Sequence, residues 1–175
     1  MKNFYTLSLC LVTTLLFFTF NAQADTTRYL DFKIVLNKSV AGAGAQKALQ
    51  SKFNSEAKKF ADIEKKLKKE KTELIAKKKL IKKDEYQKNV QLLRNKVSEL
   101  NKNKQISFKK LSDQRSKAKA DLIAKLNPIV KKYMADNKIN LVLNKNSVLL
   151  GADNLDITKS IMEILNKELK SLKIN

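Results

Sequence analysis

Residues 53–81 read FNSEAKKFADIEKKLKKEKTELIAKKKLI, and Phe53, Phe60, Leu67, Leu74 and Ile81 recur in this stretch every seven residues. An apolar residue at every seventh position is one half of a coiled-coil seam. The companion positions three residues on are Glu56, Ile63, Glu70 and Lys77, so the other half is mostly charged. The stretch lies inside a longer one, Ala45 to Asn127, that contains neither glycine nor proline. Glycine costs about 1 kcal/mol in a helix interior and proline about 3 kcal/mol, so their joint absence over this length marks a long helical arm. The arm is basic: Ala45 to Asn127 holds 25 Lys+Arg against 10 Asp+Glu, a net of +15.

A second seam follows at Tyr86, Val90, Leu93, Val97 and Leu100, in alternating steps of four and three. It degrades at Lys104, resumes at Phe108 and Leu111, meets Arg115, and recovers through Leu122, Leu126 and Ile129. Between the seams sits Ile81-Lys82-Lys83-Asp84-Glu85, where Asp84 is placed to cap a new helix and Glu85 to favour its first turn. Two partial seams around a polar tip predict an antiparallel helical hairpin. The alternative is one unbroken helix, since the tip lacks Gly and Pro. From Gly44 to Ile81 the first strut would be about 55–60 Å long. Charged residues at seam positions predict struts that zip together incompletely and can splay. Pro128 is expected to kink the return helix near Ala124.

The ends of the chain read differently. Arg28-Tyr29-Leu30 is a short extended candidate, followed by the helical stripe Phe32, Val35 and Leu36. Ser39 to Gly44 is either a flexible junction or the N-terminal boundary of the long helix. Ile139 to Leu143 alternates, Asn144-Lys145-Asn146 is turn material, and Ser147 to Leu150 reads as a second strand, which together predict a β-hairpin. Asp156 or Thr158 then caps a final amphipathic helix bearing Ile157, Ile161, Ile164, Leu165, Leu169 and Leu172. The expected fold is α+β and mostly α. A discontinuous β-containing head, residues 25–43 and 137–175, carries the helical-hairpin arm 44–136.

Residues 1–24 read as a secretory leader: Lys2 in front, an apolar run from Leu7 to Phe20, and Ala22-Gln23-Ala24 as the cleavage site. A permanent membrane anchor is the competing reading, but the run is short of the roughly 20 residues a spanning helix needs. The single cysteine, Cys10, would leave with the leader, so no disulfide would hold the exported chain. Histidine is absent. Net charge is +20, or +19 once Lys2 is removed. Such a surface attracts nucleic acid, anionic lipid or acidic protein, and export sets nucleic acid aside. Three short strands and two short helices make a poor core for one copy, and with neither disulfide nor metal available self-association is expected.

No glycine-rich phosphate loop, metal-ligand cluster or nucleophile motif is present, so the expectation is a protein that is not an enzyme and needs no cofactor. The acidic residues of the arm, such as Glu64 with Lys68 and Glu73 with Lys77, read as solvated i,i+4 pairs. The sharper signal is the lysine clusters Lys65-Lys66, Lys68-Lys69, Lys77-Lys78-Lys79 and Lys82-Lys83, set on an arm that holds most of the net charge. That asymmetry points to an arm that meets something acidic. Phe53 and Phe60 read as hairpin core before client-binding face.

The layout resembles the periplasmic chaperone family called Skp or OmpH. The residues carrying the likeness are Tyr29 to Ser39 with Gly44-Ala45-Gln46, Leu141 to Asn146, Val148-Leu149, and Leu155 to Thr158. They occur in order across essentially the whole mature chain. The resemblance implies a jellyfish-shaped homotrimer: a small β-body making the three-fold contacts, and three helical tentacles around a basic cavity. It also implies a periplasmic holdase, working without ATP, whose partners are unfolded outer-membrane β-barrel proteins, with association to lipopolysaccharide or anionic membrane. Leu30, Leu141, Val142, Leu143 and Val148 fall where the body strands should be. The lysines at 65, 66, 68, 69, 77, 78, 79, 82 and 83 would face the client. Leu150 departs from the aromatic expected there. The competing function is a non-enzymatic envelope coiled coil that tethers membrane surfaces.

Overall fold

The computed structural model describes residues 26–174; the expected leader, with Cys10 and the cleavage site after Ala24, lies outside them. Two long helices dominate. Helix α2 (Val40–Ala76) rises about 55 Å from the head, and α3 (Lys83–Asp136) returns over about 80 Å. Between them a 3₁₀ turn, Lys77–Lys79, closes the tip. The hairpin reading therefore holds over the single helix. As residue numbers rise along α2 they fall along α3: Phe53 meets Phe108, Glu64 meets Lys104 and Glu70 meets Lys96. Helix α3 starts at Lys83 with no side-chain cap, so Asp84 is not the cap; it and Glu85 lie in the first turn, where negative charge suits the helix dipole. Helix α3 continues through Pro128, and Ile129 and Val130 just beyond it are buried.

At the root, α1 (Phe32–Lys38) and α4 (Thr158–Glu168) pack with the two arm helices around one apolar core. Leu30, Val35, Ala41, Leu122, Leu126, Ile161 and Leu165 are its centre, none more than 2% exposed. Leu122, Leu126, Ile129 and Val130 show that the base of α3 is as much head as arm. Hydrogen bonds tie the two chain ends across this core. The Asp31 N–H donates to the Thr158 hydroxyl at 2.9 Å, and the Val40 N–H donates to the Asn166 side-chain oxygen at 2.8 Å.

The sheet corrects the expected β-hairpin. Strand β1 (Thr27–Leu30) pairs in parallel with β2 (Leu141–Asn144), Arg28 opposite Val142 and Leu30 opposite Asn144. Past β2, the Asn144 side chain accepts from the Asn146 N–H and turns the chain into a 3₁₀ segment, Lys145–Ser147. Val148 to Leu150 is not a strand, and Leu149 and Leu150 stand 95% and 90% exposed. Alternation misled here because β1 is the partner that satisfies β2, and its register turns Val142, rather than Leu141 or Leu143, onto the core. On its other side β1 bridges Asp156, and the Ile157 N–H donates to the Tyr29 carbonyl at 3.0 Å.

Local chemistry fixes the element ends. Ser39, fully buried, ends α1 and caps α2 by accepting from the Gly42 N–H at 3.2 Å, so Ser39 to Gly44 is a helix boundary and not a flexible junction. An added Cβ at Gly42 would collide with the Leu36 carbonyl oxygen, whereas one at Gly44 would meet nothing within 4 Å. Helix α4 begins after Ile157, with the Asp156 carboxylate accepting from the Thr158 N–H at 2.9 Å. We expect Gly42→Ala to destabilise the fold by about 2 kcal/mol through backbone overpacking. Gly44→Ala should be neutral or stabilise by up to about 1 kcal/mol, because alanine favours a helix interior. Urea unfolding of the two variants beside the parent tests the pair.

Candidate functional site

The nine clustered lysines occupy two places on the arm. Lys65, Lys66, Lys68 and Lys69 sit on the distal half of α2, and Lys77, Lys78, Lys79, Lys82 and Lys83 lie at the tip. All nine are exposed. Among the described residues only Lys69 of this set forms an ion pair, with Glu73 at 3.9 Å. The tip lysines flank Leu80 in the chain on both sides, and Leu80 is 81% exposed. Their charge is therefore turned to solvent and available to a partner.

The seam between the struts is part apolar and part ionic. Phe60 is buried, and Phe108 stacks against both Phe53 and Phe60, with ring centroids 5.4 and 5.9 Å away. Phe53 itself is 45% exposed, so of the two aromatic residues only Phe60 is wholly core. Two of the charged companion positions, Glu56 and Glu70, have cross-strut partners, and so does Glu64 beside them. Lys96 donates to both Glu70 carboxylate oxygens at 2.9 and 3.0 Å, Lys104 to Glu64 at 2.6 Å, and Ser107 to Glu56 at 2.9 Å. Exposed i,i+4 pairs of the expected kind form at Lys69–Glu73, Lys109–Asp113 and Lys132–Asp136, but the two named examples take other partners: Glu64 turns across the arm to Lys104, and Glu73 pairs with Lys69 in place of Lys77. Lys104, where the second seam lapses, is thus a cross-link. Opposite charges at positions equally distant from the tip were the available sequence signal.

These links are half-exposed, and each contributes about 0–1 kcal/mol. The struts still part between them, leaving an open cleft of about 750 Å³ with Phe60, Ile63, Leu67 and Leu100 on its walls and Lys59 and Lys110 beside them. Between Phe60 and the root few residues are fully buried; on α3 the continuous core begins at Leu122. Among the described residues no group of three or more His, Cys, Asp or Glu is placed to hold a metal ion. No described helix is long and apolar enough to cross a membrane.

The residues expected in an association body are distributed unevenly. Leu30 is fully buried in the core of the single chain, and Val142 packs against that core. Leu141 and Leu143 are 49% and 37% exposed, and Val148 is half-buried beside Leu149 and Leu150. The exposed leucines thus lie on β2 and in the loop after it. That loop is tied down by Tyr29, whose hydroxyl donates to the Ala152 carbonyl at 3.2 Å, and by Lys145, which bonds Asp156 at 2.8 Å and lies 5.7 Å from the Tyr29 ring.

This geometry, a leucine-edged head with a basic two-helix arm, can now be set beside known proteins. The family model described as outer membrane protein (OmpH-like) matches residues 27–165. The chain belongs to the OmpH-like family. Among solved structures, the OmpH-like chain resembles a Caulobacter crescentus CB15 protein assigned as an OmpH-like outer membrane chaperone, with a TM-score of 0.81. The two are 19% identical over 86% of this chain and 89% of the other, a likeness that speaks for the fold. No curated protein matches the sequence significantly.

Asp156 lets the anchoring of the OmpH-like head be tested by pH. Burial pushes its carboxyl up, but hydrogen bonds from Lys145 and Thr158 outweigh this and hold it below its ordinary value of 3.8. A depressed carboxylate contributes stability that is present above the ordinary value and is lost as pH falls through the lower folded one. Asp156→Asn should therefore cost about 1 kcal/mol at pH 7. The gap to the parent should close as pH falls below the ordinary carboxylate value, which urea unfolding at neutral and at acidic pH follows.

Proposed function

We propose that this OmpH-like protein is an ATP-independent holdase chaperone of the periplasm that captures unfolded outer-membrane β-barrel proteins and keeps them from aggregating. The observation that carries the reading is the arm: net +15 between Ala45 and Asn127, with its clustered lysines exposed and all but Lys69 free of ion pairs among the described residues. Apolar clefts lie between and beside its struts. Unfolded barrel chains expose alternating apolar strands that aggregate edge to edge. A basic arm draws acidic chains by long-range attraction, and scattered apolar contacts hold them without imposing a fold. Folding of the client into the membrane, strongly downhill, releases it without fuel. In this reading the chain is non-enzymatic, its leader is removed after Ala24, and three copies associate through the head to enclose the client. The exposed Leu141, Leu143, Leu149 and Leu150 support such self-association.

A second reading has its own support. Leu80, exposed at the tip and flanked in the chain by five lysines, has the chemistry of a contact with anionic membrane or lipopolysaccharide. The two readings separate experimentally. Diluting a urea-unfolded acidic barrel protein into buffer with the purified protein should abolish most light scattering, and 0.5 M salt should weaken the protection. Replacing Lys65, Lys66, Lys68 and Lys69 together by glutamate should remove at least half of it. Protection indifferent to salt and to these changes, alongside tight binding to anionic vesicles, would favour the tethering reading.

A further inference from the structure

The root of the arm carries two adjoining clefts, of about 430 and 450 Å³. The lower one is walled by Phe32, Leu36, Leu49 and Leu122, and the upper continues past Phe53, Phe108 and Leu111. Gln46, Leu49 and Arg115 line both, so the two form one track. From Gly42 to Phe53 along α2 the track runs about 16 Å, room for about five residues of extended chain.

Two features say what fits it. First, Lys33, Arg115 and Lys119 line the track, and among the described residues no carboxylate does. Second, part of this chain already lies there. Past α4 the backbone is irregular and non-helical and Leu172 lines the lower cleft, while the end of the tail is held outside the track, where Lys52, a residue of the inter-strut cleft, donates through Nζ to the Ile174 carbonyl at 3.2 Å. This tail carries Lys170 and Lys173, so it rests in a groove of its own charge sign. Like-charge juxtaposition weakens such a contact. Tethering offsets that through an effective concentration in the millimolar range.

We propose that the track is a docking groove for an extended acidic peptide segment with apolar residues at alternate positions, and that the tail, through Leu172, occupies its lower end as a displaceable placeholder. Side chains at alternate positions of an extended segment point the same way, so one set would lie on the Leu49–Phe53 floor while the acidic set reaches the cationic rim. Leu172 takes up part of the lower cleft and the tail offers the cationic rim no negative side chain, which is why an acidic segment displaces it. The proposal rests on the client-capture reading and gives it a site.

The probe is a fluorescent octapeptide alternating leucine and glutamate, compared with its leucine–lysine counterpart. It is titrated into the full chain, the chain shortened to end at Lys170, and Lys52→Gln. The acidic peptide should bind at least tenfold more tightly than the basic one. Shortening should tighten it a further several-fold, and Arg115→Glu in the shortened chain should cancel that gain. Lys52→Gln, which loosens the tail but keeps Leu172, should tighten binding without moving the melting temperature, and it decides the question if the shortened chain does not fold. Equal affinity across full, shortened and Lys52→Gln proteins, or a gain that survives Arg115→Glu, overturns the groove even where barrel-protein aggregation is still suppressed. Tail-sensitive binding of the acidic peptide without suppression would instead support the groove and overturn the holdase reading.

Discussion

The structure depends on one apolar core that must be assembled from both ends of the chain. Leu30 and Val35 come from before the arm, Ile161 and Leu165 from after it, and Ala41, Leu122 and Leu126 from the bases of the arm helices themselves. The hairpin is what makes this possible, because folding at Lys77–Lys79 returns α3 to the place α2 left. Hydrogen bonds from Asp31 to Thr158 and from Val40 to Asn166 then lock the two ends, and the tight approach of Gly42 to Leu36 sets the angle at which the arm departs. Beyond that root, cohesion thins quickly to an aromatic cluster and a few exposed ion pairs.

This gradient suits capture. A limb whose charges are solvated and whose seam is only partly apolar can yield to an irregular chain without unfolding the head, because local stability follows local burial. The same sparseness leaves clefts between and beside the helices, where apolar contact is available to a bound segment. In the proposed capture, electrostatic attraction would set the rate of encounter and many weak contacts the residence.

Much of this was legible in the sequence. The seven-residue recurrence from Phe53 to Ile81 and the second seam from Tyr86 marked the two struts, and the charged interval at Ile81–Glu85 marked a turn that falls a few residues earlier, at Lys77–Lys79, with Lys83 to Glu85 already in α3. The exposure of the clustered lysines followed from their density. What the sequence hid were pairings between distant segments. The parallel partnership of β1 and β2 could not be seen because Ile139 to Leu150 offered a plausible local hairpin of its own. Glu56, Glu70 and Lys104 looked like flaws in a seam until their partners across the arm were known. Arg115 and Leu172 carried no local signal at all; only the folded root brings them to one groove.

Hydrogen exchange of the protein with and without an unfolded acidic barrel protein tests the central claim most directly. Slow exchange should be confined to the root, around Leu122 to Val130 and Ile157 to Leu165, while the arm from Lys65 to Glu99 exchanges fast and gains protection when the unfolded protein is added. Uniformly slow exchange along the arm, or new protection appearing on the head alone, would contradict an account in which a firmly rooted but loosely zipped basic limb does the capturing.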